Sequence, residues 1–316
     1  MGLFDKIREP VFLKNDSAAK EQLIALETLQ ASLPDSARQE VNQEIHRVNA
    51  GIYGENAVCY ELESSHIPMF VLHDLYLEYN GQTAQIDYLI ITRKHQFVVE
   101  CKNLYGNIEI NNAGDFIRTV PAGRGYKKEG IYSPITQNRR HLELIKQIRL
   151  AEKTNFLSKA LFEKYFYENY RSVVVLANPK TVLNAKFAKK EVKGQVIRAD
   201  QLAEYIRRID ADPKAEASSE KDIEELAHFF LSIHKPCEVD YTSKFKAKPE
   251  EAQKLNSEQL QPQTDPMADE GKILCPKCGA VMVKRRATKG ANAGNEFYGC
   301  SRYPACRGIV EIGRKR

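Results

Sequence analysis

The stretch QIDYLIITRKHQFVVECKN, Gln85 to Asn103, decides the fold. Two runs rich in strand formers, 85–92 and 96–103, flank the polar RKH and read as two strands of a hairpin. Three charges interrupt these apolar runs: Asp87, Glu100 and Lys102. Residues two apart on a strand share a face, so Glu100 and Lys102 point the same way as Val98. A two-residue turn at Arg93-Lys94 or Lys94-His95 sets Asp87 opposite Glu100 or Lys102 on that face. Buried charges are costly and like charges repel, so Asp87 beside Glu100 requires a cation. Lys102 is one. A hard, oxygen-seeking ion such as Mg²⁺ or Mn²⁺ is a stronger one. Two carboxylates on such an ion, with a lysine beside them, suit phosphodiester hydrolysis. An Asp87–Lys102 pair that simply closes a hairpin edge is the plain structural alternative.

Outward from this hairpin the pattern stays legible. MFVLHDLYLEY, Met69–Tyr79, reads as a strand, and Asn80-Gly81 as a tight turn that needs left-handed backbone. Short strands are expected at 106–110 and 115–120. Ser133 and Pro134 read as the cap and first residue of a helix. SVVVLANP, Ser172–Pro179, reads as a buried central strand. GQVIRAD reads as a last strand, and Gln201–Ile209 and Glu220–His234 as helices. Residues 17–50 read as helices divided at Pro34, with Asp35 and Ser36 offering a cap.

At this point the sequence resembles a known family. GENAV (Gly54–Val58), QIDYLIIT and VVECKN together look like the nuclease-related domain, a branch of the PD-(D/E)xK nuclease superfamily. The resemblance covers roughly 51–150. It implies a restriction-endonuclease-like α/β fold, a mixed sheet flanked by helices with an αβββαβ core. It also implies roles. Asp87 and Glu100 would hold Mg²⁺ or Mn²⁺, Lys102 would be the lysine of the ExK element, and Glu55 would complete the metal site. Gln137 resembles the glutamine that the superfamily places on its next helix, and His141 follows one turn later. Ile86 stands where the superfamily name has Pro, a position that only shapes the strand.

The last 42 residues hold four of the seven cysteines, as C-x2-C-x21-C-x5-C: Cys275, Cys278, Cys300 and Cys306. Two such pairs suit one tetrahedral Zn²⁺, and the segment has too little apolar surface to fold without it. CPKCGAVMVKRRA and FYGCSRYPAC resemble the C-terminal zinc fingers of bacterial type I DNA topoisomerases, modules that bind single-stranded DNA. Lys284, Arg285, Arg286 and Arg302 suit phosphates, and Phe297, Tyr298 and Tyr303 suit stacking on bases. One of Phe297 and Tyr298 is expected to pack on the zinc knuckles instead.

The expected organisation is an N-terminal helical segment packing on the core (1–50), a nuclease-related domain (51–235), a flexible linker (236–271) and a Cys₄ zinc ribbon (272–316). The chain has 316 residues, a net charge of +5 and 42% hydrophobic residues, so it can bury a sizeable core. It has no apolar run long enough to span a membrane, and its charged start carries no secretory signal. The expectation is a cytoplasmic, metal-dependent nuclease acting on DNA in repair or processing, with other DNA-processing proteins as partners. A non-cleaving DNA-binding adaptor and an RNA-processing nuclease are the alternatives.

Overall fold

The structure is a computed structural model. It describes residues 7–236, 240–245, 275–277, 282–286, 296–301 and 306–311, with the side chains of Asp35, Ser36, Arg286 and Glu311 not described. Two compact units divide at Ala247/Lys248.

The first unit is built on a six-stranded mixed sheet. In chain order its elements are β1 (Pro10–Lys14), α1 (Ala18–Ser32), α2 (Asp35–Glu63), β2 (Met69–Tyr79), β3 (Gln82–Ile91) and β4 (Gln96–Lys102). There follow β5 (Asn107–Ile110), β6 (Phe116–Ala122), β7 (Gly125–Ile131), α3 (Pro134–Ala151), α4 (Phe156–Asn169) and β8 (Tyr170–Leu176). The unit closes with β9 (Leu183–Asn184), α5 (Lys190–Lys193), β10 (Val196–Arg198), α6 (Leu202–Asp210) and α7 (Glu220–Ser232). The main sheet runs β1-β2-β3-β4-β8-β10, and a smaller sheet runs β7-β6-β5-β9. The order α2-β2-β3-β4-α3-β8 is the αβββαβ core that the resemblance implies. No helix among the described residues is long and apolar enough to cross a membrane.

Local chemistry explains these elements. Asn80 and Gly81 take φ of 49° and 73°, which turns β2 tightly into β3. The two-residue turn at Arg93-Lys94 is closed by the Thr92 N–H donating to the His95 carbonyl, 3.0 Å. The Ser133 hydroxyl accepts from the Thr136 N–H and Pro134 opens α3. Leu142, Ile145 and Ile148 of α3, with Phe166 of α4 and Ile223 and Phe230 of α7, cover one face of the sheet. Val58 and Leu62 of α2, with Leu202 and Ile206 of α6, cover the other.

One irregularity crosses this sheet. On β2, Phe70 and Leu72 face α3, and beyond Asp74 it is Leu75 and Leu77 that do. On β3, Leu89 and Ile91 face α3, and so do Ile86 and Ala84. Strict alternation forbids both sets. Both strands therefore slip by one residue at the same level, at Asp74 and Asp87, and their pairing stays in register. Asp74 absorbs its slip with φ of 52°. Its carboxylate accepts from the Ala18 N–H at the start of α1 (2.7 Å) and from the Gln85 amide (2.8 Å).

Some expectations need correction. The N-terminal segment is not purely helical: Pro10–Lys14 is an edge strand parallel to β2. Asp35 is the first residue of α2, with Pro34 at the cap position. Within the expected linker, residues 240–245 pack on the α1–α2 pair, where Phe245 joins Leu26 and Val41 and Lys244 pairs with Glu44 at 2.9 Å. Most of 236–271, Cys237 included, lies outside the described residues.

The second unit's described strands are β11 (Met282–Arg286), β12 (Glu296–Cys300) and β13 (Ile309–Glu311), an antiparallel sheet.

Asp74→Ala removes the anchor for α1 and places a side chain that tolerates φ > 0 poorly. It should lower stability by about 1–2 kcal/mol, read as a shift of the urea midpoint. Asp74→Asn, which keeps an acceptor, should lose less.

Candidate active site and zinc centre

The β3–β4 ladder runs from Ile91↔Gln96 to Tyr88↔Val99. One step further on, the Asp87 carboxylate accepts the Cys101 N–H at 2.6 Å, so a side chain takes the place of the next backbone partner. The slip thus puts Asp87 at the end of the paired region, beside Glu100. Glu100 is 1% exposed and faces α3. One of its oxygens accepts from the Lys102 ammonium at 2.5 Å. The other, Oε2, is buried without a hydrogen bond, and His141 Nδ1 stands 3.7 Å from it. Lys102 also donates to Gln137 Oε1, 3.2 Å away on the first turn of α3.

Glu55 comes from the opposite layer. At Gly54 an added Cβ would lie 2.8 Å from Asn103 Cβ and 3.2 Å from Cys101 Sγ. Glycine there lets α2 press onto the end of β4 and brings Glu55 to the centre. Glu55 accepts from His73 Nε2 at 3.0 Å, with the proton assigned to that nitrogen. The His73 ring stacks on Tyr88 at 4.4 Å, and the Tyr88 hydroxyl donates to the Glu55 carbonyl at 2.8 Å. Asp87, Glu100, Lys102 and Gln137 are thus brought together, and Glu55, bound to His73 in the neighbouring layer, stands near enough to act electrostatically on Asp87 and Glu100. His73 is a neighbour that sequence reasoning missed, although a His-Asp pair inside an apolar strand was a visible signal.

The electrostatics follow from this crowding. Burial, then Glu100 and Glu55, hold the Asp87 carboxyl well above the ordinary carboxylate range. Burial also raises Glu100, against the pull of Lys102. For Lys102, burial acts downward, but Glu100 and then Asp87 outweigh it, so the ammonium is held more tightly than usual. Burial, helped by Lys102, pushes His141 down to about 4, so its ring is neutral at pH 7. Asp87 and Glu100 beside Lys102 offer hard oxygen donors of the kind a divalent cation takes, and among the described residues the cysteine cluster of the second unit is the one group of three whose ligand atoms lie within 4.8 Å of one another.

In the second unit, the sulfurs of Cys275, Cys300 and Cys306 lie within 4.8 Å of one another. Cys275 and Cys306 are 3.8 Å apart, which is about the S···S separation that tetrahedral Zn–S bonds near 2.3 Å impose. Gly308 lies against this cluster, since an added Cβ there would collide with Cys275 Sγ. Cys278 lies outside the described residues, as do Arg302 and Tyr303. Tyr298 packs on the cluster with Met282 and Val310. Phe297 and Arg285 form the neighbouring cross-strand pair on the opposite face, and an added Cβ at Gly299 would come within 3.1 Å of Arg285 Cδ. Lys284 pairs with Glu296 at 2.7 Å, both well exposed. Arg286 lies at the end of β11.

Fold and centres together define a mixed α/β domain with a helix-flanked acidic centre, followed by a cysteine-built zinc ribbon. Residues 50–177 match the nuclease-related domain (NERD), and residues 272–315 match the topoisomerase DNA binding C4 zinc finger. The chain thus contains a nuclease-related domain and a C4 zinc ribbon. No curated protein and no solved structure matches it.

Asp87 and Glu100 bind protons more tightly in the folded chain than in the unfolded one. Their contribution to stability is full below the ordinary carboxylate value, about 4, and is lost as pH rises through their raised values. In metal-free buffer, Asp87→Asn should therefore gain thermal midpoint relative to the native chain between pH 4 and 8. A constant difference across that range would contradict the carboxylate crowding.

Proposed function

We propose that the chain is a nuclease that hydrolyses DNA phosphodiester bonds with Mg²⁺ or Mn²⁺ at the Glu55–Asp87–Glu100 centre. The observation that carries this reading is Glu100: buried, bound to Lys102 through one oxygen, with the other making no hydrogen bond and facing His141 Nδ1 at 3.7 Å. Glu55, Asp87 and Glu100 would hold the ion through oxygens. Once bound, the ion supplies a water of lowered pKa and offsets charge on the scissile phosphate.

The rest of the chemistry belongs to the side chains. Lys102 keeps its proton at neutral pH and offers N–H donors to a phosphate oxygen or to the attacking water. Gln137 fixes the lysine through its amide oxygen. His73 and the Tyr88 hydroxyl fix Glu55 from behind. Neutral His141 closes the buried side of Glu100.

The ribbon gives this reading its substrate. We take 51–235 as the catalytic domain, with 1–50 braced against it, and 272–316 as a DNA-holding module. Tethering the module through the polar chain between 245 and 272 raises the local concentration of DNA at the centre. Lys284, Arg285, Arg286 and Arg302 contact phosphates, and Phe297 and Tyr303 stack on bases of a single strand. Tyr298 packs on the cysteine cluster and contributes structurally. A cytoplasmic role in DNA repair or processing, alongside other DNA-processing proteins, is the setting that fits.

The test is cleavage of labelled single-stranded and duplex DNA, and of RNA, with Mg²⁺ or Mn²⁺. The native chain should cut DNA only with the ion. Asp87→Ala and Lys102→Ala should each lose about 10²-fold or more. Binding without cutting on every substrate would make the chain a DNA-binding adaptor. Preferential cutting of RNA would move the reading to RNA processing.

A further inference from the structure

The lysine of the acidic centre already has a partner. Lys102 is held by Glu100. On the β6–β7 hairpin, Arg118 and Lys127 pair with Glu129, and Lys128 pairs with Glu109. The segment that follows β8 differs. NPKTVLNAKFAKKEVKG, residues 178–194, carries five lysines against one glutamate, a net of +4 in a chain whose total is +5. Lys180, Lys186, Lys189 and Lys190 are exposed, and no described carboxylate lies within ion-pair range of any of them. Phe187 stands among them, 65% exposed, with the Lys186 ammonium 5.5 Å from its ring centre.

This segment is built rather than slack. The Thr181 hydroxyl donates to the Leu104 carbonyl at 2.6 Å, and the Arg198 guanidinium donates to the Thr181 carbonyl at 3.2 Å. Ala188 is buried with Leu183, Ala185 and Val192 around it. Lys193 folds back to donate to the Lys186 carbonyl at 2.7 Å, so it braces the segment from within. The anchors point inward and the four remaining lysines point outward.

Its place in the fold matters as much as its charge. Leu176, the last residue of β8, pairs with Lys102, and the Ala177 N–H donates to the Lys102 carbonyl at 3.0 Å. The chain leaving Lys102 and the chain entering the segment then run side by side. The Ile108 N–H donates to the Val182 carbonyl at 3.0 Å, and β5 pairs with β9. Lys180 is four residues beyond Leu176, so their Cα atoms lie within about 14 Å.

Four unneutralised ammonium groups on a braced rim repel one another, and a run of phosphates offsets that repulsion. An exposed aromatic face among them suits a base. We propose that this rim, Lys180, Lys186, Phe187, Lys189 and Lys190, is a second nucleic-acid contact that carries a single strand to the Glu100–Lys102 centre. The proposal rests on the reading that this centre acts on nucleic acid.

The test uses the full chain in a Lys102→Ala background without added divalent ion, so that binding is read apart from cleavage. Fluorescence anisotropy follows binding of a labelled oligothymidylate across a salt series. Replacing Lys180, Lys186, Lys189 and Lys190 by Ala should reduce the slope of log K against log salt by about 0.7 for each phosphate no longer neutralised, roughly two to three in all. Replacing Lys159, Lys164, Lys214 and Lys221 by Ala, an equal charge change elsewhere on the unit, should leave the slope near its starting value. Phe187→Ala should weaken binding about tenfold with little change in slope. An unchanged slope in the rim variant, or an equal reduction in the control, overturns the proposal whatever the native chain cleaves. A reduced slope in a chain that cuts nothing keeps the rim and sinks the nuclease reading.

Discussion

The first unit depends on how it holds Asp87 and Glu100 at the end of an apolar sheet with Glu55 in the layer beside them. Glu100 is shut off from water there, while Glu55 and the one lysine among them stay partly exposed. Glu100 binds Lys102 through one oxygen and has the other left over. Asp87 takes a backbone N–H that a regular ladder would have given to a carbonyl. Glu55 is held from behind by a histidine that is itself stacked on a tyrosine. Each device keeps a carboxylate in place against its neighbours' repulsion. Folding alone does not call for such an arrangement, because an apolar sheet end would be more stable without it. A cation that joins the three would offset the repulsion and use the orphaned oxygen.

The supporting architecture follows from that constraint. The paired slip at Asp74 and Asp87 changes which face each strand presents just where the centre begins. It lets β3 serve the α3 side along its length and still place Asp87 at the boundary. Gly54 lets α2 come close enough for Glu55 to arrive from the other layer. Asp74 converts its own slip into an anchor for α1. Stability and site geometry are therefore coupled through the same few residues.

Much of this was legible in the sequence, and the reasons are local. Asn80-Gly81 names its own turn, and the short link RKH holds the next hairpin to two registers, of which the structure has the one with its turn at Arg93-Lys94. Ser133-Pro134 marks the start of α3 and so puts Gln137 one turn in. The illegible parts depend on distant partners. Pro10–Lys14 is a strand because β2 offers it an edge, and nothing in five residues announces that. Phe156–Asn169 carries apolar residues on several sides and lacks the stripe of a surface helix. The double slip is invisible because period-two alternation holds on either side of it. The His73-Asp74 pair stands out inside an apolar strand, but its partner Glu55 is set by the fold. In the ribbon, sequence left Phe297 and Tyr298 equivalent, and strand pairing separated them by placing Tyr298 with Met282 and Cys300.

The most direct measurement is a Mn²⁺ titration of the full chain, followed by the decline of the free-ion electron paramagnetic resonance signal, with zinc content measured in parallel. The account predicts a site that takes up Mn²⁺ in the native chain and is lost in Glu100→Gln, with zinc unchanged. Equal Mn²⁺ uptake by both chains, or none by the native chain, would contradict the claim that the crowded carboxylates are a metal centre.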